Sequence, residues 1–248
     1  MLRGRHKDPH GWRETIQGIV VALALAFAAR TALAEPFHVP SSSMEPTLLV
    51  GDFMFASKFA YGYSRYSLPL GLPLFHGRVL EKPAERGDII VFRLPRDPTQ
   101  DYVKRVVGLP GDKLQMIGGV LHINGAAVGM ERIEDYITGG SHRRVAQFIE
   151  TLPNGVKHRI LHAAALGPLD DTPVYQVPDG HYFMMGDNRS NSLDSRVPAE
   201  AGGVGYVPAE NLVGRADLRH FSIDFDTDWS SPAAWLKALR FDRIGLIT

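Results

Sequence analysis

The sequence predicts a mainly β protein: an antiparallel-sheet domain with a small inserted lobe, preceded by one N-terminal transmembrane helix. Three observations carry this. Ile16 to Ala34 holds a single charge, Arg30, in nineteen residues. After Pro36 the chain breaks into short apolar runs separated by turn formers, the pattern of antiparallel strands. The 25 glycines and 17 prolines among 248 residues exceed the share of about 12% in an average chain, as a turn-rich fold requires.

Taken as a helix, Ile16 to Ala34 is about 28 Å long at roughly 1.5 Å per residue, close to the ~30 Å thickness of a bilayer's hydrocarbon. Arg3, Arg5, Lys7 and Arg13 precede it. The positive-inside rule then makes residues 1–15 a cytoplasmic tail, 16–34 an anchor, and places the rest on the far side. Arg30 lies near the exit, where its head can snorkel to the interface. The competing reading is a cleavable secretory signal, because Ala32-Leu33-Ala34 has the small-x-small pattern of a cleavage site.

Residues 36–128 and 174–222 read as the β domain. Phe53 to Ala56 and Asp88 to Arg93 are strands, the second entered through a turn at Arg86-Gly87. Tyr102 to Val107 is another, stopped by Leu109-Pro110-Gly111-Asp112, where Pro then Gly suits a type II turn. Val120 to Ile123 and Ala126 to Val128 form a hairpin, since Asn124-Gly125 tolerates the positive φ of a type I′ turn. Pro178-Asp179-Gly180 opens a strand from His181 to Met185. Residues 129–173 are less patterned and read as the inserted lobe. The tail, 223–248, mixes Trp235, Leu236, Phe241 and Ile244 with Lys237, Arg240 and Arg243; it fits an interfacial amphipathic element or a segment that closes the core.

Composition narrows the chemistry. Lys plus Arg equals Asp plus Glu at 27 each, without the basic surplus of a nucleic-acid partner. With no cysteine, thiol nucleophiles, disulfides and cysteine zinc clusters are excluded. No His-Glu-x-x-His, Gly-x-Ser-x-Gly or phosphate-loop motif occurs. His158 and His162, spaced i, i+4, could share a helical face as ligands, but no fixed carboxylate or third histidine accompanies them. Neither a metal nor a cofactor is expected.

Three polar stretches remain. Pro40 to Leu48 contains Ser41, Ser42 and Ser43; such a stretch is an ordinary turn unless a base lies elsewhere to take a hydroxyl proton. Lys104, in Tyr102 to Val107, alternates with apolar neighbours. An exposed edge lysine and a desolvated base both fit it. Lowering its pKa from about 10.4 to about 8 takes roughly 3 kcal/mol of burial. Gly186 to Arg196 is too long and polar for a simple turn. Ordinary Asx and Ser turns explain part of it, and a rigid loop presenting a hydroxyl to the lysine is the functional alternative.

Together these stretches resemble the type I signal peptidase (leader peptidase) family of bacteria. Pro40-Ser41-x-Ser43-Met44-x-Pro46-Thr47-Leu48 looks like its nucleophile box, followed by Gly51-Asp52. Arg86-Gly87-Asp88, then Tyr102-x-Lys104-Arg105 leading to Gly108 through Asp112, looks like the central boxes. Gly186-Asp187-Asn188-Arg189-x-Asn191-Ser192-x-Asp194-Ser195-Arg196 looks like the last. The likeness continues through Gly205 to Pro208 and Asn211 to Ala216 and covers most of residues 36–222. It departs from many members in showing one membrane segment rather than two, and in a short stretch between the lysine box and the last box.

The resemblance implies a membrane-anchored serine endopeptidase whose partners are exported preproteins and membrane lipid, cutting after small-x-small motifs on the outer side of the bacterial inner membrane. It implies Ser43 as nucleophile, Lys104 as general base, Ser41 with the Ser43 N–H as oxyanion donors, Ser192 orienting the lysine, and Asp194 and Arg196 as structural support. The different-class rival is a non-catalytic, membrane-tethered β domain that binds exported or envelope proteins. Because Ala32-Leu33-Ala34 resembles the implied substrate, self-cleavage before Glu35 is a further expectation to weigh.

Overall fold

Local backbone chemistry sets most of the element boundaries. The computed structural model describes residues 11–67, 77–139, 143–163, 165–227 and 232–247, with the side chains of 24–32 and 232–234 outside that set. Helix α1 (Gly11–Leu33) takes in the low-charge segment and begins five residues before it. Ile16, Ile19, Val20, Val21 and Leu23 are each more than half exposed on it. Among the described residues no helix is long and apolar enough to cross a membrane. Arg3, Arg5 and Lys7 lie outside the described residues, so an anchor over 16–34 rests on the sequence.

Strand β1 (Ala34–His38) follows directly. Pro36 sits in it because β1 is the outermost strand of its sheet, where a missing N–H costs no ladder bond. β2 (Asp52–Ser57) alternates inward and outward, with Asp52, Met54 and Ala56 buried. β3 (Ile89–Leu94) is buried at five of six positions. β4 (Asp97–Gly108) has an exposed first half and a buried end, Lys104 to Gly108. The turn after it closes with Asp112 N–H donating to Leu109 O at 3.0 Å, and Gly111 supplies φ +87°. The hairpin at Asn124-Gly125 forms as predicted, with φ of 54° and 83°.

In the 129–173 stretch, β5 (Gly129–Arg132), β6 (Gln147–Thr151) and β7 (Lys157–Leu161) form an antiparallel three-stranded sheet. His158 therefore lies on a strand, and the helical face shared with His162 does not exist. β8 (His181–Met185) and β9 (Leu212–Ser222) return to the main sheet. The tail adds helix α2 (Pro232–Ala238) and β10 (Gly245–Leu246), which pairs with β9. The tail closes onto the domain while Trp235, Leu236, Phe241 and Leu246 stay more than half exposed.

The main sheet runs β1-β2-β9-β3-β4-β8 and then Val207–Pro208, antiparallel throughout. One apolar cluster holds the serine-rich turn: Val39, Met44, Leu48, Met54, Ile89 and Val91 pack together. Met44 and Leu48 are fully buried, and each contributes about 1.5–3 kcal/mol of burial. They pin the serine-rich turn against β2 and β3.

Candidate active site

Ser43 lies in a short 3-10 turn, Ser42–Met44, entered through extended Ser41. It is nearly buried, because Met44 points into the core and draws its neighbour down. Lys104 comes from the buried end of β4, on the face that the strand's alternation turns toward the turn. Its Nζ lies 2.6 Å from Ser43 Oγ. A second Nζ hydrogen goes to Val103 O at 3.0 Å, and the Tyr102 ring lies 5.4 Å away. Burial pushes the Lys104 amine down to about 8, against the partly offsetting pull of Asp194 and Asp187. Of the two sequence alternatives, the structure realises the desolvated lysine.

Ser41 Oγ stands 3.3 Å from Ser43 Oγ, at the mouth of a cavity of about 340 Å³. Phe37, Met54, Val91 and Val103 give this cavity apolar walls, and Ser43 and Lys104 line it as well. It opens between β1 and the exposed half of β4.

The loop 186–196 wraps the other side of the turn. Asn188 N–H donates to Ser43 O at 3.1 Å, Asn188 Nδ2 to Ser42 O, and Asn191 Nδ2 to Ser42 Oγ at 2.9 Å. Gly186 is required by close approach: a Cβ there would stand 2.2 Å from Ser192 Oγ and 2.4 Å from Ser43 O. Asp194 takes Arg196 Nε and Nη2 at 2.9 and 2.8 Å and the Gly186 N–H at 3.1 Å. Burial raises its carboxyl, but Arg196 and the Gly186 N–H outweigh burial and hold it below the usual range. Ser192 Oγ is buried and has no hydrogen-bond partner among the described residues. The hydrogen bond to Lys104 that the resemblance implies is thus not made in this structure, where Lys104 Nζ bonds Ser43 Oγ and Val103 O.

Several site residues escaped the sequence reading. Asp187 accepts both ends of the Arg105 fork at 2.9 and 2.8 Å and the Thr47 hydroxyl at 2.5 Å. Arg189 makes a two-pronged pair with Glu150 of β6 at 2.7 and 2.5 Å. Burial raises Glu150, yet Arg189 and His158 bring it down to about 2. Asp187 and Arg105 lie in motif-bearing stretches, and their opposite charge is the signal that could pair them. Glu150 carried no local signal. His158 faces Glu150 at 3.3 Å, whereas His162 pairs with Asp170 at 2.9 Å. Among the described residues no group of three or more histidines and carboxylates is arranged to hold a metal ion.

The family model described as "Signal peptidase, peptidase S26" matches residues 12–221. The chain belongs to the signal peptidase family. Relatives agree over nearly the full length. The signal peptidase I of Rickettsia typhi is 38% identical, with 98% of this chain and 97% of the relative aligned. That of Rickettsia canadensis is 39% identical, covering 90% and 88%. A solved signal peptidase I from Enterococcus faecalis is 28% identical, with a TM-score of 0.33, covering 54% of this chain and 97% of its own. The protein is a peptidase of the signal peptidase family, with mainly antiparallel β architecture.

Proposed function

We propose that this chain is a membrane-anchored serine endopeptidase that removes signal peptides from exported preproteins, with Ser43 as nucleophile and Lys104 as general base. The observation that carries the reading is the 2.6 Å contact between Lys104 Nζ and Ser43 Oγ inside a buried pocket that lowers the lysine to about 8. A neutral amine has two hydrogens and one lone pair. With Val103 O holding one hydrogen, the lone pair is left for the Ser43 proton.

The steps follow from that placement. Lys104 takes the Ser43 proton as Oγ attacks the scissile carbonyl carbon. The oxyanion that develops is met by the Ser41 hydroxyl and the Ser43 N–H. The Lys104 ammonium then gives its proton to the leaving amine, freeing the mature protein. A water, deprotonated by the same amine, hydrolyses the acyl-serine and releases the signal peptide. Asp194 and Arg196 keep the 186–196 loop in shape.

Substrate choice is supported by the cavity. Its ~340 Å³ apolar space suits small aliphatic side chains, consistent with cutting after small-x-small motifs. The open edges of β1 and of the first half of β4 suit an extended peptide lying between them. The anchor over 16–34 would bring Ser43, nine residues past Ala34, within about 30 Å of the membrane exit, taking roughly 3.3 Å per residue. The chemistry derived for these residues needs no metal or cofactor.

Cleavage of a model preprotein by wild type and by Ser43→Ala, with the mature N-terminus sequenced, tests the proposal. Wild type is expected to release a mature chain after a small-x-small site, and Ser43→Ala none. Equal cleavage by both would remove Ser43 from the mechanism. Binding without cleavage by wild type would favour the tethered binding domain.

A further inference from the structure

A second cavity, of about 570 Å³, lies between the three-stranded insertion sheet and the C-terminal tail, and shares no lining residue with the dyad cleft. Its charge is one-sided. Lys157 and Arg159 alternate with buried His158 and Ile160 on β7, so their side chains leave the same face, about 7 Å apart. Neither side chain has a hydrogen bond or ion pair among the described residues. Arg219 and Arg243 also line the cavity.

These two arginines are already crowded. With Arg240 they share one buried carboxylate, Asp52, at 3.6, 2.7 and 3.9 Å. Burial, followed by the repulsion of Arg243, lowers the Arg219 guanidinium from its ordinary value. The lining holds one carboxylate of its own, Glu131, on the β5 row facing Ile149 and Arg159. Four cations against one acid and a shared aspartate leave the cavity short of negative charge. Arginine forks and a lysine head match phosphate oxygens.

The geometry points to a phosphate-binding cleft at Lys157, Arg159 and Arg219, occupied by the headgroup of an anionic phospholipid. The apolar neighbours favour lipid over free phosphate. Leu246 lines the cleft and is 74% exposed, and Ile244 and Phe241 beside it in sequence are exposed as well. Position agrees. β10 is separated from β1 by β9 and β2, three strand spacings or about 15 Å, and β1 continues directly from α1. The lipid source rests on the anchored reading of the chain, whereas the phosphate chemistry does not.

The test uses the full chain in neutral detergent with a short-chain phosphatidylglycerol below its micellar concentration, followed by calorimetry. Phosphatidylcholine of equal chain length and inorganic phosphate are the comparison probes. Phosphatidylglycerol is expected to bind at least about tenfold more tightly than either. The Lys157→Gln/Arg159→Gln pair should lose at least about tenfold of that affinity, and Lys157→Arg/Arg159→Lys should keep it. Both variants should retain wild-type melting temperature and preprotein cleavage. No phosphatidylglycerol binding, or equal binding by the Gln pair, overturns the site. Inorganic phosphate binding as tightly through the same two residues overturns the lipid source. Failure of wild type to cleave preprotein would overturn the functional reading while leaving the binding arms interpretable.

Discussion

Asn188 donates its backbone N–H to the carbonyl oxygen of Ser43 at 3.1 Å. The bond joins two segments 145 residues apart and fixes the backbone beneath the proposed nucleophile to a loop that is itself held by Arg105, Arg189 and Arg196. Ser43 is aimed by a turn pinned from two sides, by apolar burial of Met44 and Leu48 below and by hydrogen bonds from the 186–196 loop beside it.

Lys104→Arg should reduce cleavage by roughly 10²–10⁴-fold, because a guanidinium keeps its proton and cannot serve as the base. On the proposed mechanism the active form is the neutral amine, so the rate should climb as pH rises toward about 8 and level off above it. Single-turnover cleavage from pH 6 to 10 measures this. A flat profile would remove Lys104 as the titrating group.

The buried lysine should also cost stability. Its folded pKa is depressed to about 8 from 10.5, so between those values the unfolded chain binds more protons and stability rises with pH. Below about pH 8 the cost is complete, about 3 kcal/mol. Lys104→Met should therefore exceed wild type in stability by about that amount at pH 7, with the gap closing by pH 10.5. Denaturant unfolding of both proteins at the two pH values checks it; a gap independent of pH would contradict it.

Gly186→Ala should lower kcat on the order of 100-fold with little change in secondary structure. The added methyl stands 2.2 Å from Ser192 Oγ and 2.4 Å from Ser43 O, so the turn carrying Ser43 must move. Circular dichroism alongside steady-state kinetics separates displacement from unfolding, and wild-type kcat would mean that the turn yields without consequence.

The bond between Ala34 and Glu35 should stay intact in active enzyme. Ala34 pairs with Ser57 and Glu35 with Ala56 in β1 and β2, and the Glu35 carboxylate is held by buried Lys58 at 2.8 Å. Cleavage needs a free extended strand in the dyad cleft, which means unzipping β1. Prolonged incubation followed by N-terminal sequencing is the measurement; a product beginning at Glu35 would show that β1 opens.

What the sequence revealed tracks the range of the interaction involved. Asn124-Gly125 and Pro110-Gly111 announce their turns because a few backbone angles decide them. The contact of Lys104 with Ser43 was legible because both residues sit in motif-bearing stretches. Glu150 was not: it faces inward from a strand of mixed polar sequence, and only the three-dimensional arrival of Arg189 gives it a partner. The tail reads from sequence as lipid-facing or core-closing, and Arg240 and Arg243 turn inward toward Asp52, which only the fold reveals. The resemblance assigns Ser192 to Lys104, and in the structure its Oγ makes no hydrogen bond among the described residues.

Arg243 grips Asp52 across 191 positions of chain and also donates to Thr47 O, four residues beyond Ser43. The segment that follows Ser43 therefore gains support from residues made long after it. During synthesis the serine is present long before its surroundings are finished. A site assembled in that order is unfinished when its serine is made, and takes shape only once residues up to 191 positions beyond Asp52 have been added.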